Sequence, residues 1–328
     1  MLGIGIIGAG DFGAAHARAI ARLTEVRLVA ACRTRAAPLA AFTEEFGGRG
    51  YTDYRRLLAD PEVEAVVIAT PHQLHAAMVE AAAAAGKHVL LEKPMAPTPA
   101  ECRRIRQCVA RSGISLMVGH TSHFVPAYRV ARELLDAGEL GEVFHGCSTM
   151  TRPWMTPNRR DWHLRRDSGG GMWLTIGVHV LDQLIWLLGG PVKSVAAELQ
   201  TRFHDQQADD FAVALLRFQS GATATASCIG YRSGVFTFRT QLTGSRGLMR
   251  IDHTRGVFIG RDERWRAVPG SASTDWMADA LLAEWRAFAA ALRTGSAMPV
   301  GDAYAAHVMA VAFAAEESSR RQREQVLS

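Results

Sequence analysis

The feature that most constrains this chain is a glycine pattern, Gly8-Ala9-Gly10-Asp11-Phe12-Gly13. It lies directly after the apolar run 3–7 and directly before an Ala-rich helical stretch. In a strand–turn–helix setting the first glycine permits a tight turn. The second lets a pyrophosphate approach the backbone, and the third packs helix against strand. The helix N-terminus offers N–H groups and a partial positive charge to the phosphates. Gly8, Gly10, Asp11, Phe12 and Gly13 are therefore expected to cradle a dinucleotide. Outside this setting the same glycines would be only a turn.

The pattern that follows supports the setting. Short apolar runs at 3–7, 26–31, 65–70, 88–91 and 115–118 alternate with helical stretches at 14–23, 36–46, 54–59, 74–85 and 99–111. Strand and helix alternating at this spacing predict a parallel sheet with helices on both faces. The character changes near residue 120. A helix at 127–137, a strand at 143–150 and a long loop rich in Arg, Trp and Pro lead to Gly169-Gly170-Gly171 and a helix to about Leu188. From 192 to 259 the pattern is β-rich, with turn signals at Ser220-Gly221 and Gly244, so these strands are expected to be mostly antiparallel. Helices at 278–293 and 302–323 close the chain, and 320–328 is expected to fray. The expected fold class is α/β: a Rossmann domain over 1–120 and an α/β domain over 121–328 built on a large, mostly antiparallel sheet.

With 328 residues the chain has length for two cores, and 48% hydrophobic against 21% charged residues suits a folded domain of either kind. No apolar run reads as a membrane span, and the N-terminus runs into glycines without the flanks of a signal peptide. The 5 cysteines are scattered without a C-x-x-C pair, which argues against a disulfide frame or zinc site and suits a reducing cytoplasm. A net charge of +5 is modest over a chain this size; the densest basic stretch is 152–166, and no nucleic-acid module accompanies it. Those arginines read as solvated surface or as an anion-binding loop.

The second strand ends Ala31-Cys32-Arg33-Thr34-Arg35. An NAD site normally places Asp or Glu here, on the ribose 2′-hydroxyl. Two arginines and a hydroxyl stand instead, and a guanidinium would bind the extra 2′-phosphate. Arg33, Thr34 and Arg35 thus point to NADP(H) in preference to NAD(H); as solvated loop residues they would leave NAD(H) open.

Downstream stand Ala69-Thr70-Pro71, then Glu92-Lys93-Pro94, then Gly169-Gly170-Gly171 followed by Gly177-Val178-His179. With the glycine loop, these motifs resemble the glucose–fructose oxidoreductase / inositol dehydrogenase / rhizopine-catabolism (Gfo/Idh/MocA) family over nearly the whole chain. The resemblance implies hydride transfer between a nicotinamide and a carbon bearing hydroxyl or oxo, commonly in a sugar or cyclitol. It also implies pairing through the second sheet, hence a homodimer or homotetramer. It gives Lys93 a place beside the nicotinamide, before a Pro94 that is often cis. The residues agree: a lysine ending a parallel strand lies at the ligand edge of such a sheet, where an ammonium can hold a substrate oxygen. Thr70, Pro71, His72, His75, Glu92 and Pro94 are expected around the cofactor.

The family pattern Gly-Gly-Gly-x-x-x-Asp-x-Gly-x-His is met except at one position. Thr175 stands where Asp is common, and Thr neither carries charge nor takes a proton near neutrality. His179 is then the expected proton carrier and Thr175 a positioning group. Candidate substrate contacts are His120, His123, Arg152, Trp154, Trp162 and Arg165. Several histidines lie near one sheet edge, but without a metal-ligand spacing, so no catalytic metal is expected. The segments around His72 and His120 are also locally similar to a family branch that oxidises aromatic cis-dihydrodiol carboxylates. A cofactor-binding ligand sensor is a further alternative, compatible with Thr175.

Overall fold

Apolar β-branched residues dominate the first strands, and these are buried on both faces, as a parallel sheet demands. The computed structural model describes residues 1–327. Its elements run β1 (Leu2–Ile7), α1 (Asp11–Ile20), β2 (Val26–Cys32), α2 (Ala36–Phe46), β3 (Arg49–Tyr51), α3 (Tyr54–Leu58), β4 (Ala65–Ile68), α4 (His75–Ala84), β5 (His88–Glu92), α5 (Pro99–Ser112) and β6 (Leu116–Gly119). They continue α6 (Pro126–Asp136), β7 (Val143–Pro153), α7 (Val178–Leu188), β8 (Val192–Gln200), β9 (Phe211–Phe218), β10 (Thr223–Tyr231), β11 (Thr237–Gly244), β12 (Gly247–Asp252), β13 (Gly256–Arg261), β14 (Arg264–Ala267), α8 (Trp276–Thr294), α9 (Asp302–Arg321) and β15 (Gln325–Val326).

The residues divide into two units, Met1–Thr121 with Leu281–Ala306, and Ser122–Ala280 with His307–Ser328. The expected division at residue 120 treated everything beyond it as one domain. The segment Leu281–Ala306 instead belongs with the first unit, because Trp285 and Phe288 are fully buried there and Met117 bridges to Gly301.

The first unit holds a six-stranded sheet in the order β3-β2-β1-β4-β5-β6, every pair parallel. This is the doubly wound dinucleotide order, with its switch between β1 and β4. Ile4, Ile6 and Ile7 are at most 1% exposed. Each such side chain contributes roughly 1.5–3 kcal/mol by burial. The second unit holds a nine-stranded sheet, β14-β13-β12-β11-β7-β10-β9-β8-β15. It is antiparallel except where β7 and β10 run parallel. Alternate residues of β7 (Gly146, Ser148, Met150) are buried. That face lies under α7: Ser148 Oγ donates to Gln183 Oε1 at 2.8 Å, and a methyl on Gly146 would press on Leu184 and Leu188.

Three expectations need correction. Helix α1 begins at Asp11 and not near residue 14, since Gly10 itself serves as its N-cap. The expected frayed C-terminus is ordered over its described part: Gln325 and Val326 pair with Val195 and Ser194 of β8, and Leu327 N–H donates to Lys193 O at 2.9 Å. Ser328 lies outside the described residues. Finally, one helical stretch, Arg166–Leu188, is long and apolar enough to cross a membrane, at mean hydropathy 1.4. The most apolar 18 residues of this stretch are 83% buried within the protein, which is the position of a core helix.

Candidate functional site

The glycine loop is shaped by what surrounds each glycine. Gly8 has φ +105°, and a methyl there would meet Ala69 O at 2.3 Å; one on Gly13 would meet Gly8 O at 2.3 Å. One on Gly10 would meet nothing within 4 Å. Gly10 thus leaves open the approach that a pyrophosphate needs. No side chain caps α1 at Gly10, so the first-turn N–H groups of Asp11, Phe12 and Gly13 have no side-chain competitor for an anion. These residues fit a bound dinucleotide. At the end of β2, Arg33 Nη1 donates to Ala9 O at 3.0 Å, tying its guanidinium to the glycine loop. Thr34 and Arg35 are exposed.

Lys93 ends β5 and joins Pro94 by a cis peptide bond. Glu92 and Pro94 on either side are buried, whereas Lys93 is half-buried at the carboxyl edge of the sheet. His75 braces this turn: Nδ1 lies 3.0 Å from Pro94 O and Nε2 3.1 Å from Thr70 O. Burial holds its pKa below the usual histidine range, outweighing the two carbonyls. With both nitrogens against backbone, His75 supports the loop instead of offering a ring nitrogen to a ligand. His72 is buried, its ring 5.7 Å from that of His75. His120 is fully buried, edge-on to Tyr304 at 6.2 Å.

Behind Lys93 lies a polar cluster that sequence reasoning missed. His16 Nε2 meets Glu92 Oε1 at 3.1 Å, and Trp285 Nε1 donates to His16 Nδ1 at 3.1 Å. Gly119 makes room for this carboxylate, since a methyl there would meet Glu92 Oε1 at 2.9 Å. Glu284 is fully buried, and burial first, then the charge of Glu92, push its pKa well above the carboxylate range. Ligand atoms of His16, Glu92 and Glu284 lie within 4.8 Å of one another, a spacing that could hold a metal ion. Trp285 argues against it, because its donor-only N–H makes Nδ1 the acceptor and leaves the ring proton on Nε2. Nothing in the local sequence signals a partner so far along the chain.

In the second unit, the motif after Gly169-Gly170-Gly171 forms a π-helical turn, Trp173–Gly177, before α7. The turn lets Trp173 lie over Gly177, where a methyl would come within 2.4 Å of the indole. Such turns recur at functional sites. Among residues 169–185, His179 alone is half-exposed and all the rest, Thr175 included, are buried. Asp182, one turn along α7, is fully buried and accepts from His123 Nε2 at 2.8 Å; His123 stacks on Trp186 at 4.0 Å. No local sequence pattern marks Asp209 either. Its carboxylate accepts the Trp173 N–H at 2.7 Å, and burial raises its pKa to about 7.

The substrate candidates of the long loop separate sharply. Arg165 is exposed and bonded to Asp167, with Nε–Oδ1 at 3.1 Å. Trp154 is fully buried, its indole N–H donating to Gln206 Oε1 at 2.9 Å. Trp162 is half-buried and stacked on His163 at 3.6 Å. Arg152 is half-buried at the end of β7.

Comparison with known proteins agrees with this geometry. Residues 2–120 match the oxidoreductase family with an NAD-binding Rossmann fold, and residues 128–250 match the GFO/IDH/MocA C-terminal domain. The chain is similar to 1-carboxy-3-chloro-3,4-dihydroxycyclohexa-1,5-diene dehydrogenase of Comamonas testosteroni, 37% identical over 63% of this chain and 52% of that protein, about half its length. It is 30% identical to inositol 2-dehydrogenase of Leifsonia xyli subsp. xyli over 95% of this chain and 91% of that one. The solved aldose-aldose oxidoreductase of Caulobacter crescentus, in complex with glycerol, superposes with a TM-score of 0.88 at 26% identity, covering 99% of both chains. The nucleotide-binding sheet order, the open glycine loop and these matches through both units place the chain in the GFO/IDH/MocA oxidoreductase family.

Proposed function

We propose that this chain is an NADP(H)-dependent dehydrogenase or reductase of a secondary alcohol or ketone in a small ring, a sugar or cyclitol first. The observation that carries the reading is Lys93. It is the half-exposed cation at the carboxyl edge of a parallel sheet whose first loop leaves room for a dinucleotide.

When bound, the nicotinamide takes up or supplies the hydride. Gly8, Gly10, Asp11, Phe12 and Gly13 would hold the pyrophosphate, and Arg33, with Thr34 and Arg35, the adenosine 2′-phosphate. The Lys93 ammonium holds the substrate oxygen and stabilises negative charge on it. His179 accepts the hydroxyl proton in the oxidative direction and returns it in the reductive one. Thr175 orients the substrate. On this reading the first unit is the cofactor domain and the second the substrate and assembly domain. The protein works in the cytoplasm, consistent with its five free cysteines. It pairs through the β10 face bearing Thr223, Thr225 and Ser227; a monomer in light scattering at micromolar concentration refutes that pairing.

A second reading, oxidation of a cis-dihydrodiol carboxylate, is favoured by the 37% identity to the Comamonas dehydrogenase. One panel tests both: sugars, cyclitols and aromatic cis-dihydrodiols, each with NADP and NAD, followed by reduced-nicotinamide absorbance. Turnover of none of them, with cofactor binding intact, favours a sensor over an enzyme.

A further inference from the structure

The basic stretch 152–166 contains two kinds of arginine. Arg165 is paired with Asp167, and Arg166 with Glu316 at 2.5 Å. Arg152 and Arg159 are half-buried, and among the described residues neither meets a carboxylate. Arg159 is held at two points: Nε donates to Trp154 O at 2.9 Å, and its guanidinium lies 3.9 Å from the centroid of the buried Trp154 ring. Arg152 Nε donates to Pro153 O at 3.4 Å, and its guanidinium lies 5.9 Å from the Phe236 ring. The terminal nitrogens of both guanidiniums therefore remain open as donors.

Burial lowers the pKa of both side chains, and the charge of Arg152 adds to burial in bringing Arg159 down to about 10. Two neighbouring cations withdrawn from water without a counter-charge are costly, and an anion binding both would relieve the cost. Their planar forks suit an oxyanion.

The strand register says which end of the unit they face. On β7, Gly146 lies against Leu184 and Leu188, and Ser148 against Gln183, so successive alternate residues move toward the start of α7. Met150 and then Arg152 continue this row, toward the end of α7 that carries His179. An aromatic row makes the same link. The His179 and Phe238 rings lie 6.4 Å apart, and those of Phe238 and Phe236 6.5 Å, with Arg152 over Phe236.

We propose that Arg152 and Arg159 form an oxyanion subsite that binds a carboxylate or phosphate carried by the ring substrate, on the aromatic row leading to His179. This rests on the oxidoreductase reading and narrows its substrate to an anionic, hydroxylated ring.

The test is calorimetric titration of the unmodified protein with benzoate, phenyl phosphate and benzamide. Benzamide has the ring without the charge. At least one anion is expected to bind at least roughly tenfold tighter than benzamide, the scale of one charge-assisted contact. The tighter of the two identifies carboxylate or phosphate. Arg159→Gln and Arg152→Gln should each remove that preference and leave benzamide within about twofold. Arg159→Lys, which keeps charge but loses the fork, should fall between. Equal binding of anion and amide, no binding by any probe, or unchanged anion affinity in folded Gln variants overturns the proposal. If the variants do not fold, the comparison in the unmodified protein decides. Benzoate binding with no turnover on the panel sinks the oxidoreductase reading and leaves the subsite. Turnover of neutral rings with no preference for anionic ones does the reverse.

Discussion

Trp285 Nε1 donates to His16 Nδ1 at 3.1 Å, and this bond fixes the state of a buried histidine. Indole is only a donor, so Nδ1 must be bare and Nε2 must carry the proton that Glu92 accepts. A residue of the helix after the glycine loop thereby holds the carboxylate adjacent to Lys93. His16→Leu would strand an indole N–H and a carboxylate, at about 1–3 kcal/mol for each buried group left unpaired. We expect thermal melts to show that loss, and metal ions or chelators to leave the melting temperature of the unmodified protein unchanged. A metal-dependent rise would show that the ring turns over to bind an ion.

Glu284 makes stability depend on pH in a stated direction. Its folded-state pKa is raised well above 4.5 by burial, so the unfolded chain releases this proton first as pH rises. Its contribution is fully present below the unfolded value near 4.5. It is lost progressively as pH climbs toward the folded value. Glu284→Gln keeps the shape and removes the ionisation. The variant's melting temperature relative to the unmodified protein should therefore be higher at pH 8 than at pH 4.5. A difference independent of pH would show that Glu284 does not titrate between those limits.

The parts of this molecule written in local pattern were legible, and those made by distant contact were not. Alternating apolar runs located β1, β2, β4, β5 and β6 because a parallel strand must be apolar on both faces. The hairpin of β13 and β14 escaped. It turns at Asp262 and Glu263 with φ 47° and 60°, a conformation usually marked by Asn-Gly or Asp-Gly. Gly8, Lys93 and His179 stand out in the sequence because motif and position agree. Trp285 could not be found, because nothing periodic ties a late helix to His16. In the basic loop, sequence offered Arg165 as a substrate contact, yet Asp167 two positions on already pairs with it. Arg159 lacks such a neighbour, and only the fold shows it lying on Trp154.

Cofactor choice turns on Arg33. Its Nη1 bond to Ala9 O points one edge of the guanidinium at the glycine loop and leaves Nε and Nη2 to meet a 2′-phosphate. We expect tighter NADP(H) than NAD(H) binding in side-by-side titrations. Arg33→Asp should flatten or reverse the preference by repelling the phosphate and accepting from a 2′-hydroxyl. Equal or tighter NAD(H) binding by the unmodified protein defeats the expectation.

On the proposed reading Lys93 and His179 carry the chemical step, and each removal should then lower turnover while leaving cofactor affinity nearly intact. General acid–base help is worth ~10²–10⁴-fold, or about 3–5 kcal/mol of barrier. His179→Ala should therefore lose at least ~100-fold in kcat. Lys93→Ala should lose as much or more, because the ammonium also stabilises charge that water cannot reach with the same geometry. Thr175 is buried in the π-helical turn and has no charge to offer, so Thr175→Val should cost only about 1–2 kcal/mol, the scale of one neutral hydrogen bond. The three variants are compared on whichever panel substrate is turned over, with kcat and KM measured separately. Asp209, whose pKa burial raises to about 7, bonds to the turn itself. Should Thr175→Val prove as damaging as His179→Ala, proton transfer runs through the turn and not through His179. Asp209→Asn would then be expected to abolish the neutral limb of the pH–rate profile that His179→Ala leaves in place.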